Sequence, residues 1–137
     1  MRSIRNRRRG GNAIEFALTL PVFIAISFAM IEFGWYFSRV ALLNSAVMDG
    51  CREGALIDED LGNPGTEATT RMNTVLASGG LSCTTCGAVI AGAVPNKVLQ
   101  CNAEIDYDGL TGWFMALGVM PGTINTQTQV RLEWQRN

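Results

Sequence analysis

The chain has 137 residues, which is enough for one modest domain, and its formal net charge is −1. It contains no histidine, so the Ser-His-Asp and Cys-His arrangements, the imidazole metal ligand and the usual proton shuttle are all missing. The lack of histidine does not exclude an enzyme, but it removes the commonest catalytic groups, and we expect no catalytic residue, cofactor or metal ion.

The charge is distributed unevenly along the chain. Five arginines lie within the first nine residues, and the chain after residue 10 carries 6 basic and 12 acidic residues, a net −6. An apolar stretch follows this basic block, and positive charge beside such a stretch keeps that end in the cytoplasm. The pattern predicts a cytoplasmic segment over residues 1–10 and an outer position for residues 38–137. The acidity of the outer part argues against nucleic-acid binding.

Residues 16–37 form an apolar run in which Glu32 is the one charged residue. As a helix this run spans roughly 33 Å, enough to cross the hydrocarbon core of a bilayer. Trp35 and Tyr36 lie at its far end, where aromatic rings favour the membrane interface. We expect a transmembrane helix over residues 11–37. A secretory signal peptide would be shorter and end in small residues, whereas an unprocessed single-pass envelope protein stays open as an alternative.

The helical pattern continues beyond the membrane. Val40, Leu43, Val47 and Cys51 recur at spacings of 3, 4 and 4, as on one face of a helix. We expect one helix from about Asn12 to about Ile57, with residues 38–61 as its extension outside the membrane. Pro21 removes one backbone hydrogen bond and favours a kink.

The start of this helix has a distinct motif. A basic leader ends at Gly10 and Gly11, and a lone carboxylate, Glu15, is followed by Phe16. A carboxylate at the edge of hydrocarbon is costly unless something neutralises it. In a filament, the N-terminal amine of one subunit could pair with the Glu15 carboxylate of another and set the axial register.

This motif resembles the processing site of the TadE-like minor pilins, or pseudopilins, of the tight-adherence (Flp) branch of type IV pili. The family pattern G-x-x-x-x-E-F/Y is matched by Gly10, Glu15 and Phe16. Residues 31–34 (IEFG), 44–46 (NSA) and 52–55 (REGA) resemble further family segments, although residues 47–51 depart from the common spacing. The resemblance implies cleavage between Gly10 and Gly11 by a membrane aspartyl prepilin peptidase, with Glu15 as the fifth residue of the mature chain.

The resemblance also implies partners and a location. The partners would be other pilin and pseudopilin subunits, the prepilin peptidase, the pilus assembly platform and membrane lipid. The protein would first be a single-pass inner-membrane protein and then part of a cell-surface pilus used in attachment and biofilm formation.

Residues 62–137 are expected to form a small extracytoplasmic α+β domain. Thr66 can cap a short helix that reaches about Ser78. Strict alternation of apolar and polar residues predicts one strand from Leu99 to Tyr107 and another from Thr126 to Trp134. The expected fold class is α+β and pilin-like, with a long N-terminal helix packed on a short helix and a small antiparallel sheet.

Two features of the sequence allow more than one interpretation. The apolar segment at residues 110–121 either completes the core or forms an exposed contact with another subunit. Glu32 is either solvated or paired with Arg39 near the outer interface, or it is a second packing site between subunits.

The four cysteines, Cys51, Cys83, Cys86 and Cys101, predict two disulfides outside the cytoplasm, in one of three connectivities. Cys83 and Cys86 form a C-x-x-C motif, so a membrane-anchored thiol-disulfide enzyme is the alternative function. Zinc binding is less favoured, since the 32-residue separation of Cys51 from Cys83 does not resemble paired zinc knuckles.

Overall fold

The computed structural model describes residues 9–60, 62–93 and 96–132. It has three helices and three strands in this part of the chain, in the order α1 (Arg9–Leu56), α2 (Pro64–Ser78), β1 (Thr85–Ala91), β2 (Val98–Asp106), α3 (Trp113–Ala116) and β3 (Thr123–Arg131). A long apolar helix therefore packs with a short helix on a small antiparallel sheet, which confirms the expected α+β, pilin-like fold. Most of the basic leader, residues 1–8, lies outside the described residues.

Helix α1 has 48 residues and is roughly 72 Å long at the usual helical rise. It begins at Arg9, slightly before the expected start near Asn12, and it contains Pro21. Its outer half packs on the domain through Leu43, Ala46 and Val47, which are fully or almost fully buried. The first half of α1, called here the rod, thus protrudes from the domain, whereas the outer half of α1 forms one side of the core.

Helix α2 begins at Pro64, two residues before the predicted cap. The side chain of Asn63 accepts hydrogen bonds from the backbone N–H groups of Gly65 and Thr66, at 3.0 and 3.3 Å. Proline is favoured at the first helical position because its missing N–H would have no partner there. The expectation that Thr66 is the cap was wrong, because Asn63 caps the helix and Thr66 already lies inside it.

The sheet is an antiparallel meander in the order β1-β2-β3, with β2 in the centre. Cys101 of β2 lies between Ala88 of β1 and Thr128 of β3. The predicted alternation in β2 is present, because its odd-numbered residues are buried. The predicted last strand occurs three residues earlier, at Thr123–Arg131, with its even-numbered residues turned inward. Trp134, the predicted end of that strand, lies outside the described residues.

The core lies between the sheet and the two longer helices. Its buried apolar residues are Leu43, Ala46, Val47, Cys51, Ala68, Met72, Leu76, Leu99, Cys101, Ala103, Ile105, Tyr107, Met120, Ile124 and Leu132.

Two glycines of α1 allow α2 to approach closely. A Cβ atom at Gly54 would lie 2.7 Å from the Cβ of Ala68, and one at Gly50 would collide with the Met72 side chain. Small residues one turn apart let two helix backbones come into contact, so these glycines act in packing although they weaken the helix locally.

Candidate functional site

The first half of α1 extends away from the domain. Residues 11–26 are all exposed, and large apolar side chains such as Ile14, Phe16 and Phe23 are more than 60 % accessible. Among the described residues, α1 is the one helix long and apolar enough to cross a membrane, and its most apolar window makes no buried contact with the domain. A surface of this kind needs lipid or other subunits to cover it.

Two hydroxyl groups in the first half of α1 have hydrogen-bond partners within the helix. The Thr19 hydroxyl donates to the backbone carbonyls of Glu15 and Phe16, at 3.1 and 3.2 Å, and the Ser27 hydroxyl donates to that of Phe23 at 2.9 Å. A polar group in hydrocarbon needs an internal partner, and these hydroxyls have one. The rod therefore presents an apolar surface from residue 16 to residue 31.

The motif residues lie together at the free end of the rod. Gly10, Gly11, Glu15 and Phe16 occupy the first two turns of α1, and Gly11 has open space around it. Glu15 and Phe16 are exposed. Gly11, Glu15 and Phe16 are therefore accessible, and the roles assigned to these four residues stay predictions.

Glu32 is buried by a loop from the other end of the chain. One carboxylate oxygen, Oε2, accepts hydrogen bonds from the backbone N–H and the hydroxyl of Thr111, at 3.1 and 3.0 Å. The other oxygen, Oε1, is buried without a hydrogen-bond partner among the described residues, and the backbone at Gly109 packs against it. Glu32 thus joins α1 to the segment before α3.

Arg39 is engaged elsewhere. Its guanidinium donates to the backbone carbonyl of Gly79 at 3.2 Å and lies 4.2 Å from the ring centroid of Trp35. Glu32 is therefore not solvated, and Arg39 directs its hydrogen bond to Gly79 instead of Glu32. Its place as a contact between subunits stays a prediction.

The aromatic residues next to Glu32 strengthen the same junction. Tyr36 and Tyr107 pack edge to face, with ring centroids 5.3 Å apart. Burial raises the pKa of the Tyr107 hydroxyl above its ordinary value, and the negative charge of Glu32 raises it further. The Tyr107 hydroxyl also contacts the Met120 sulfur at 3.6 Å. Together these contacts fix the 107–120 region against α1.

The apolar segment at residues 110–121 is divided between the core and the surface. Met120 is buried, and Phe114 and Met115 are half-buried, with the ring of Phe114 centred 6.1 Å from that of Phe33. The exposed apolar side chains of the segment are Leu110, Trp113, Leu117 and Val119. The segment therefore contributes to the core through Phe114, Met115 and Met120, and a contact of its exposed side chains with another subunit stays a prediction.

A hollow of about 550 Å³ separates this segment from α1. It is lined by Ala25, Phe28, Thr111, Trp113, Phe114 and Leu117, and is almost wholly apolar. The hollow therefore continues the apolar surface of the rod onto the domain.

All four cysteines are paired. Cys51 of α1 is bonded to Cys101 of β2, and Cys83 is bonded to Cys86 at the start of β1, each pair with Cα atoms 5.9 Å apart. Cys51 and Cys101 are fully buried, so this disulfide ties the long helix to the central strand inside the core. None of the four cysteines has a free thiol, and the C-x-x-C motif forms a disulfide within a single short segment.

Sequence reasoning did not identify Thr111 or Gly109 as partners of Glu32. Thr111 lies 79 residues from Glu32, and neither residue belongs to a recognisable motif. The available signal was indirect: a lone carboxylate in an apolar segment requires a partner somewhere in the fold.

Comparison with known families gives one match. The family of TadE-like proteins matches residues 10–52, which include the glycine motif, Glu15, the apolar rod and most of the outer half of α1. No curated protein and no solved structure matches the chain. The TadE-like pilins are structural proteins associated with the tight-adherence pilus, not enzymes. Over residues 10–52 the resemblance seen in the sequence is confirmed, because this part of the chain matches the family of TadE-like proteins.

Proposed function

We propose that this protein is a minor pilin, or pseudopilin, that takes part in assembly of a tight-adherence pilus used in surface attachment. The observation that carries the proposal is the exposed apolar rod with a single carboxylate, Glu15, near its free end. A soluble protein would not leave such a surface uncovered, whereas lipid covers it before assembly and neighbouring helices cover it in a filament.

The rod has two successive environments in this proposal. In the first, α1 crosses the inner membrane over residues 11–37 with residues 1–10 in the cytoplasm, and residues 38–61 and the 62–137 domain lie outside. A prepilin peptidase then cuts between Gly10 and Gly11, which creates a new amine beside the membrane surface. In the second, the assembly platform transfers the mature chain into a bundle of pilin helices.

Glu15 sets the axial position of the subunit in this bundle. Its carboxylate is exposed at the free end of α1, so the amine of an adjacent subunit can approach it. In a bundle with little water the attraction between these opposite charges is stronger than in solution. The side chain of Phe16, 65 % accessible, packs beside it against the neighbouring helix.

The first experiment tests processing. The intact mass of the protein isolated from its own host membranes is compared between the natural chain and the Gly10→Ala variant. We expect the natural chain to begin at Gly11 and the variant to keep its leader. A natural chain that still begins at Met1 would make the protein an unprocessed envelope protein and overturn the proposal.

The second experiment separates assembly from processing. Glu15→Ala should still lose its leader but should reduce the protein in sheared pilus fractions at least tenfold. Glu53→Ala, which removes another exposed carboxylate from the same helix, is the matched control and should leave assembly unchanged. Normal pilus incorporation of Glu15→Ala would rule out the register role.

A further inference from the structure

We propose that residues 110–119, called here the α3 segment, enter the outer leaflet of the membrane beside α1 and make a second, shallow contact with lipid. This inference rests on the membrane anchoring in the proposed function and extends it from the helix to the domain. The occupant of the exposed α3 face is the acyl-chain boundary of the outer leaflet.

The first support is the depth at which the α3 segment meets α1. Phe114 packs on Phe33, and Trp113 and Leu117 line the same hollow as Phe28. Phe33 and Phe28 precede Phe37, the outer end of the anchor, by roughly 6 and 13 Å along the helix axis. One leaflet contributes roughly 15 Å of hydrocarbon, so the α3 segment reaches the depth of the outer leaflet.

The second support is the chemistry of the segment. Residues 110–119 contain no charged side chain. Trp113 is 73 % accessible and Leu117 is 68 % accessible, so their apolar surfaces are turned away from the domain. Tryptophan favours the boundary between headgroups and acyl chains, and leucine favours the hydrocarbon below it.

The third support is the change from apolar to polar surface along the same side of the molecule. Further out along α1 there is a groove of about 500 Å³ that begins at Trp35 and Leu110 and has three charged residues in its lining, Arg39, Asp106 and Asp108. The apolar hollow at Ala25 and Phe28 and this charged groove thus follow each other along α1. A membrane surface between them would place the apolar hollow among acyl chains and the charged groove in water.

The buried carboxylate fits the same arrangement. Glu32 lies at the depth of the α3 segment, where an exposed carboxylate would meet acyl chains. Thr111 donates two hydrogen bonds to it, and Gly109 closes over its second oxygen. Gly109 and the adjoining α3 segment therefore screen Glu32 from lipid, while the outer face of the α3 segment contacts lipid.

The test uses tryptophan fluorescence of the full chain in vesicles of phosphatidylethanolamine and phosphatidylglycerol. A fraction of the lipid carries bromine on the upper part of its acyl chains, which quenches nearby tryptophan. The chain has three tryptophans, Trp35, Trp113 and Trp134. Replacing two of them with phenylalanine leaves Trp113 alone in one variant and Trp35 alone in another.

A matched control reports a site on the domain away from the membrane. All three tryptophans are replaced with phenylalanine and Val89→Trp is added, because Val89 is 64 % accessible on β1. Bromine in both leaflets makes the result independent of the orientation in which the protein inserts. The absence of thiols that react with an alkylating agent checks that each variant has formed both disulfides.

We expect the bromine to quench Trp113 at least about half as strongly as Trp35, while the tryptophan at position 89 is unaffected. If Trp35 is quenched and Trp113 behaves like the control, the α3 segment stays in water and the inference is overturned, although the anchoring stands. If Trp113 has blue-shifted emission without quenching, another copy of the chain covers the face, and the lipid contact is likewise excluded. If Trp35 is not quenched either, both the anchoring and the inference fail.

Discussion

The carboxylate of Glu32 accepts two hydrogen bonds from Thr111, one from its backbone N–H and one from its hydroxyl, at 3.1 and 3.0 Å. This contact joins the outer part of the apolar helix to a loop 79 residues later in the chain. It therefore fixes how the domain sits on its own helix, independently of any other subunit.

Thr111→Val should destabilise the domain. The variant keeps the backbone N–H but removes the hydroxyl from a buried carboxylate, at a cost of about 1–3 kcal/mol in the free energy of unfolding. Thermal unfolding of the detergent-solubilised chain, followed by circular dichroism, measures the change. Thr70→Val is the control, because the exposed Thr70 hydroxyl donates to the Thr66 carbonyl of its own helix. Equal melting temperatures for the two variants would contradict the prediction.

Gly54→Ala should destabilise the protein even though alanine is the better helix former. The helix propensity of alanine favours the variant by about 1 kcal/mol. The added Cβ would lie 2.7 Å from the Cβ of Ala68, and overpacking of this kind costs about 1–3 kcal/mol. Gly34→Ala is the control, since a Cβ there meets no atom within 4 Å. A melting temperature for Gly54→Ala at or above that of Gly34→Ala would show that α2 does not pack closely against Gly54.

The two disulfides should contribute unequally to stability. In the chain-entropy account, the Cys51–Cys101 bond closes a loop across 50 residues and contributes about 4 kcal/mol. The Cys83–Cys86 bond, across 3 residues, contributes about 2 kcal/mol. Paired Cys→Ser variants, compared by thermal unfolding, measure both.

The natural protein provides the test of the thiol-disulfide alternative. If Cys83–Cys86 is a structural clamp, the natural protein should resist mild reductant and should not reduce insulin. Rapid reduction of this bond together with insulin reduction would support the enzymatic alternative instead.

Tyr107 should ionise at a higher pH than an ordinary tyrosine. Its pKa is raised first by burial and next by the negative charge of Glu32. Because the pKa in the folded state lies above the unfolded value of about 10, the stability from this group is fully present below pH 10. It is lost as the pH rises through the folded-state pKa.

The Tyr36→Phe variant allows the titration to be assigned to Tyr107, because Tyr107 is then the sole tyrosine of the chain. Ultraviolet absorbance of the tyrosinate then gives the midpoint, which we expect above 10. A midpoint at or below 10 would contradict the burial of the hydroxyl.

Parts of the fold followed from local patterns. The odd-numbered apolar residues of β2 were predicted from alternation alone, and they are buried as expected. Strand β1 was missed because its sequence, TCGAVIA, has no clean alternation, and its residues are mostly half-buried on both sides of an edge strand. The cap of α2 was misplaced because Asn63 and Thr66 are both good caps, and only the position of Pro64 in the first turn distinguishes them.

The sequence by itself determined the apolar rod, the glycine and Glu15 motif, and the periodicity of the helix and strands, because these depend on neighbours within a few positions. The tertiary structure alone decided that Cys51 pairs with Cys101, that Thr111 binds Glu32, and that the α3 segment lies beside Phe28 and Phe33. Those contacts join residues 50 or more positions apart. Periodicity specifies which face of an element is apolar, but only the packing of the elements specifies what that face meets.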